Sequence, residues 1–144
     1  MASTVFIAKE TQADEPRVAA SVDSVKKLIA LGLAVTVQKG AGAGSQIPDA
    51  AFEEVGAKLG AATAAKTADV VLRVRRPTQT EAKAYKKGAA VIAIMDPYGN
   101  EEALADLASA GLSSFAMELM PRITRAQVMD VLSSQANLAG YQAV

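Results

Sequence analysis

Short apolar runs recur along this chain, too brief to be helices, and helical patterns separate them. No other feature narrows the fold so far. Thr4–Ala8, Ala34–Val37, Val70–Val74, Ala90–Met95 and Ser113–Ala116 read as strands. Ser21 caps a predicted helix over Val22–Leu31, whose Val22, Val25, Leu28 and Ile29 share a face and which Gly32 ends. Pro48 suits the first position of a short helix, and residues 61–68 are alanine-rich and read as helical. Thr80–Lys87 and Glu101–Ala110 are further helices, the second stopped by Gly111. Strands that are apolar throughout are covered on both faces, so the alternation predicts a parallel sheet between two helical layers.

This is an α/β chain of the Rossmann-like or flavodoxin-like three-layer kind. Its 144 residues suffice for one domain burying about 70% of the unfolded surface, and neither repeat nor low-complexity linker divides it. Fifteen basic and fifteen acidic residues cancel, so no overall field recruits nucleic acid or anionic lipid. Cysteine and histidine are both absent, which excludes disulfides, thiolate nucleophiles, zinc sites and histidine acid–base chemistry from this chain; no metal ligand set is expected. The longest mostly apolar run, Leu28 to Val37, is far short of the roughly 20 residues that cross a bilayer. The start enters Val5-Phe6-Ile7-Ala8 without the basic region of a secretory signal, so the expected location is cytoplasmic, with any membrane attachment through a partner.

Gly40-Ala41-Gly42-Ala43-Gly44-Ser45 looks like a dinucleotide fingerprint and fails the test for one. Ser45 stands where the third glycine belongs, and several residues intervene before Pro48. A tight turn at the sheet edge is the better reading. Arg73, Arg75 and Arg76 cluster after the third predicted strand, where open α/β sheets bind ligands. Arginine forks suit carboxylate or phosphate, but pairing with Glu10, Asp14 or Glu15 would occupy them equally well.

Pro121–Val144 is the stretch in which polar residues are arranged rather than scattered. Thr124 reads as a helix N-cap, Gln127 as its capping-box partner, and Ile123 with Val128 as a hydrophobic staple. Val128, Val131, Leu132 and Ala139 recur at helical spacing and are expected to face a core. Gln127, Asp130, Ser133 or Ser134, Asn137 and Tyr141 form a polar stripe on another side, with Arg122 just before the cap. Such a row reads a polar ligand such as a nucleotide, or is merely a solvated face. Gln142-Ala143-Val144 carries no stop signal, so the helix is expected to continue in a longer polypeptide.

MELMPRITRAQVMDVLSSQANLAGYQAV resembles the segment of the alpha subunit of proton-translocating NAD(P) transhydrogenase that meets the nicotinamide end of NAD(H). IAKETQADEPRVAAS, QKGAGAGSQIPDAAF and ADVVLRVRRP resemble, in order, other blocks in the N-terminal portion of that subunit, and alanine dehydrogenases share several of them. The resemblance implies that Arg122, Gln127, Asp130 and Ser133 form a polar network around the nicotinamide and its ribose. The Ile123 and Thr124 backbone and Tyr141 would lie close by. It implies NAD(H) here, NADP(H) on a membrane-bound partner component, a homodimer, and peripheral attachment to the inner membrane. It also implies that the chain stops before the Rossmann domain that grips NAD and is inactive alone. No residue is assigned as catalytic, because hydride passes directly between the two nicotinamides.

Two alternatives stay open. Arg17 and Arg75 align with positions that hold the substrate carboxylate in alanine dehydrogenases. Those enzymes carry a catalytic histidine where AVIAIMDPYGN offers only Met95, Asp96 and Pro97. Asp96 before proline reads as a turn former rather than a base. The first alternative is therefore an amino-acid oxidoreductase substrate domain, and the second a non-catalytic α/β binding module.

Overall fold

A computed structural model describes residues 2–143. Six parallel strands form one sheet: β1 (Thr4–Ile7), β2 (Ala34–Gln38), β3 (Lys58–Gly60), β4 (Val70–Arg75), β5 (Ala90–Ile94) and β6 (Ser113–Ala116). Their order is β3-β2-β1-β4-β5-β6. The chain starts mid-sheet, builds outward to one edge, returns beside β1 and builds to the other. That is the Rossmann-type order, and its reversal between β1 and β4 leaves a crevice at the carboxyl ends of those strands.

Alternation along β1 shows how the layers are held. Val5 and Ile7 point to one face, where Val35, Val37, Val25 of α1 (Val22–Ala30) and Phe52 of α2 (Asp49–Glu54) join them. Phe6 and Ala8 point to the other, against Val71, Val91, Met95, Ala82 of α3 (Gln79–Ala84) and Leu107 of α4 (Glu101–Ser109). Phe6 and Ile7 are at most 1% exposed, so the central strand is enclosed on both sides as a parallel sheet requires. Cover is uneven, however. On the α1–α2 face, Ile92 and Ile94 are half-buried, and Phe115 on β6 is 55% exposed.

The sheet and its order of elements agree with the sequence reading, with local corrections. Strand β3, unread in the sequence, is only three residues long. A Cβ on its Gly60 would come within 2.8 Å of the Thr36 methyl, so glycine is what lets this edge approach β2. Pro48 sits at the N-cap of α2 in extended conformation rather than at the first helical position. The helical stretch read at residues 61–68 is present over Ala62–Thr67 and is of the 3-10 kind. Helix α3 begins one residue early because Thr78 and Glu81 form a reciprocal capping box.

The largest correction concerns the final segment. Thr124–Met129 is a 3-10 turn with Ile123 at its cap position and no side-chain cap, and α5 spans Val131–Gln142. The Thr124–Gln127 capping box does not form. Asp130 is the N-cap instead, its Oδ1 accepting from Leu132 N at 3.0 Å and Ser133 N at 3.1 Å. Aspartate outranks threonine as a cap, and its extended backbone breaks the helix predicted to run through it. Nor does the staple close: Ile123 is 54% and Val128 93% exposed. Of the four residues expected to face a core, only Val131 is even half-buried. Val144, the last residue of the predicted open end, lies outside the described residues.

Candidate functional site

The crevice between β1 and β4 is built by acidic side chains that lock arginines in place. Pairing of β4 with β1 stops at Leu72, and its register against β5 shifts between Leu72 and Arg75, so the Val74 and Arg75 amides are met by a side chain. Glu10, in the segment after β1, takes them up: its carboxylate accepts from Val74 N at 2.8 Å and Arg75 N at 3.4 Å. It also pairs with Arg73, which is buried and pairs with Glu81 at 2.7 Å and donates to the Tyr85 hydroxyl at 3.2 Å. Burying charges without partners is costly, so this cluster is knit from carboxylates and guanidiniums together.

Glu15 does the same on the cleft side. Its side chain is 1% exposed and receives Arg17 bidentately, Nε and Nη2 each at 2.6 Å, while Arg75 Nε donates at 2.8 Å. The Arg17 hydrogen bonds outweigh burial and, with Arg75, hold the Glu15 carboxyl down to about 2. Arg73 and Arg75 therefore follow the internal-pairing alternative, with Glu10 and Glu15 as partners. Arg76 instead donates to the carbonyls of Met95 and Asp96 and to Asn100 Oδ1, the last two at 3.0 and 3.2 Å. It braces the turn at Asp96, whose φ of 47° and partnership with Asn100 fit a turn former.

The glycine loop has a packing explanation. A Cβ on Gly42 would meet the Ile47 carbonyl oxygen at 2.5 Å, and one on Gly44 the Pro16 carbonyl oxygen at 2.5 Å. Ser45 Oγ donates to that same Pro16 oxygen at 2.9 Å. The loop is thus a close-packed support for the Glu15–Arg17 segment, in agreement with the refusal of a fingerprint.

Above the carboxyl edge lies a cleft of about 250 Å³. Leu72, Val74, Ile92, Ile94 and Val131 give it apolar walls, and Arg17 and Gln135 stand among its lining residues. Arg17 Nη1 donates to Gln135 Oε1 at 2.9 Å. Gln135 escaped the sequence reading, because it lies one helical turn from Val131, off the recognised stripe. The signal was there: Val131 and Gln135 are four apart and share the face that turns to the sheet.

Three residues of the predicted row come together at the head of α5. Ser133 Oγ donates to Asp130 Oδ2 at 2.6 Å, and Arg122 Nε lies 3.6 Å from the same oxygen. The Ser133 hydroxyl first, then the free helix amides and Arg122, hold the Asp130 carboxyl below the usual range. Ile123 and Thr124 sit next to this cluster in the chain, at the start of the 3-10 turn. Gln127 and the 87% exposed Tyr141 do not join it; both face solvent. The stripe as a whole flanks the sheet-facing side of α5 rather than lying on it.

A cluster of this kind on a Rossmann-type sheet does not by itself name a family, but comparison with known proteins does. The family model described as alanine dehydrogenase/PNT, N-terminal domain, matches residues 6–139. The chain belongs to that family. It is 44% identical over 147 aligned positions to an NAD(P) transhydrogenase alpha-subunit polypeptide of Rhodospirillum rubrum, covering 97% of this chain and 38% of that protein. The crystal structure of transhydrogenase from Sinorhizobium meliloti superposes with a TM-score of 0.96 at 67% identity, covering 98% of this chain and 42% of that one. An L-alanine dehydrogenase structure superposes less closely, with a TM-score of 0.76 at 26% identity over 80% of this chain and 32% of that one. The chain thus spans well under half the length of these relatives. Among the described residues no helix is long and apolar enough to cross a membrane, and no group of acidic residues is arranged to hold a metal.

Proposed function

We propose that this chain is the N-terminal portion of the alpha subunit of a proton-translocating NAD(P) transhydrogenase, and that it orients the nicotinamide of NAD(H). One observation carries the reading: Asp130 accepts from Ser133 and stands 3.6 Å from Arg122, a polar cluster in the chain next to Val131, which lines an apolar cleft formed by β4 and β5. The likeness to transhydrogenases, at 44% and 67% identity, supports it.

The cleft fits one ring better than a dinucleotide. Its volume of about 250 Å³ lies below the roughly 300–1,000 Å³ of pockets that enclose drug-sized ligands. Apolar walls suit a nicotinamide, and the amide of Gln127, the hydroxyl of Ser133 and the guanidinium of Arg122 suit its carboxamide and ribose. The cofactor, when bound, supplies the hydride. The protein's own contribution is aim: Asp130 fixes Ser133 and Arg122, which fix the ring's face and distance. A misplacement of about 1 Å costs on the order of a hundredfold in rate.

The rest of the reading follows the relatives' longer chains. The remainder of NAD(H) is held by a domain beyond this segment, so the segment alone neither binds NADH tightly nor reacts. NADP(H) sits on a partner component that carries the membrane spans and couples transfer to proton passage, in the Re/Si-specific manner. The subunit works as a homodimer, on the cytoplasmic side and peripheral to the inner membrane. Single-turnover transfer from NADH to an NADP analogue tests this, in the full-length subunit assembled with its partner. Asp130→Asn is expected to slow transfer at least tenfold with little change in NADH affinity; an unaltered rate in that variant refutes it.

The likeness to an L-alanine dehydrogenase keeps a second reading in view, an amino-acid oxidoreductase substrate domain. Glu15 already occupies Arg17 and Arg75, the residues that would hold a substrate carboxylate, which weighs against it. Pyruvate-dependent NADH oxidation by the full-length protein, abolished by Arg75→Ala, would favour it.

A further inference from the structure

Helix α5 is thinly attached. Of its twelve residues only Val131 is half-buried, so packing alone does not fix the helix over the sheet. Among the described residues, one side-chain bond joins it to the segment after β1: Arg17 Nη1 donates to Gln135 Oε1 at 2.9 Å. That arginine is itself immobilised. Nε and Nη2 grip the two oxygens of Glu15 at 2.6 Å each, and Glu15, 1% exposed, is fixed from the other side by Arg75 of β4 at 2.8 Å. With the fork so engaged, Nη1 is the guanidinium nitrogen left to face α5.

We infer that Arg17 and Gln135 are positioning residues: buried Glu15 aims Arg17, and Arg17 holds α5 and its Arg122–Asp130–Ser133 head over the carboxyl edge of the sheet. The chain of contacts runs from β4 through Glu15 and Arg17 to Gln135, and every link is a hydrogen bond to a charged group, the stronger kind. Arg17 and Gln135 line the cleft but lie outside the Arg122–Asp130–Ser133 cluster, and the role inferred for them is to hold the helix that carries it. The bearing on hydride transfer rests on the function proposed above.

The test uses the full-length subunit assembled with its NADP-binding component. Gln135→Ala removes the acceptor, Gln135→Glu keeps it and adds charge, and Asp130→Asn perturbs the cluster directly. In Gln135→Ala, amide hydrogen exchange across residues 131–142 is expected to quicken about tenfold, the worth of one hydrogen bond to a charged group, while strand amides do not change. Single-turnover hydride transfer is expected to fall by about ten- to a hundredfold with NADH affinity nearly constant, and Gln135→Glu is expected to restore both readouts. Unchanged exchange across α5 in Gln135→Ala overturns the inference, as does a Gln135→Glu protein that remains as slow as Gln135→Ala. Transfer slowed by Asp130→Asn but untouched by Gln135→Ala overturns the positioning role and leaves the proposed function standing. Transfer untouched by both variants removes the proposed function, and the positioning role with it.

Discussion

Replacing Glu15 by glutamine removes one charge from the cleft and almost no volume, so its effect isolates electrostatics. The wild-type carboxyl is depressed from 4.5 to about 2. At about 1.4 kcal/mol per pKa unit, the linkage is worth roughly 3 kcal/mol at neutral pH. Arg17 and Arg75 are 37% and 41% exposed, and solvent screens their side of the interaction, so about 2 kcal/mol is the better expectation. The sign is fixed by the direction of the shift. A depressed carboxyl stabilises the fold above its unfolded pKa and ceases to do so as pH falls through the folded value. Wild type should therefore exceed Glu15→Gln by a constant margin from pH 7 down to about 5. The margin should shrink between 4.5 and 2. Urea unfolding at several pH values measures it as a shift in midpoint at unchanged slope. A margin below about 0.5 kcal/mol at pH 7, or one that persists unchanged at pH 2.5, would falsify the assignment of Glu15 as the charged keystone of this cleft.

Gly44→Ala pushes a methyl to 2.5 Å from the Pro16 carbonyl oxygen and should cost about 1–3 kcal/mol while displacing the Glu15–Arg17 segment, read by urea unfolding and by loss of protection at Arg17. Thr78→Ala deletes the capping box of α3, whose Glu81 also anchors buried Arg73; a loss of about 1 kcal/mol is expected, and a neutral result would contradict the capping geometry. Phe6→Ala empties the middle of the core facing α3 and α4 and should cost about 3–5 kcal/mol in the same assay.

The sheet was legible because its signal is redundant. Val5, Phe6 and Ile7 in succession have no amphipathic alternative, β4 and β5 are likewise apolar over most of their length, and every strand but β3 is read from the sequence. Strand β3 did not, since Lys58-Leu59-Gly60 is short and charged, and it pairs only because Gly60 permits a close approach that no propensity encodes. The glycine loop was read correctly from spacing alone. At the site the outcome divides by range. Asp130 and Ser133 were legible as neighbours one helical turn apart, and Arg122 as their companion. The helix start was misplaced because two cap candidates, Thr124 and Asp130, compete six residues apart, and local rules score each without reference to the other. Arg17 and Gln135, 118 residues apart, meet only once β1 and β4 are adjacent, so their contact lies beyond any local pattern. The exposure of Gln127 and Tyr141 is likewise a tertiary fact that no local pattern supplies.

The most direct measurement is a crystal structure of the full-length subunit with NADH bound. The nicotinamide ring is expected in the cleft against Val131, its carboxamide or ribose within about 3 Å of Arg122, Gln127 or Ser133. A ring seated elsewhere on the sheet, with Arg122, Asp130 and Ser133 still turned to water, would contradict it.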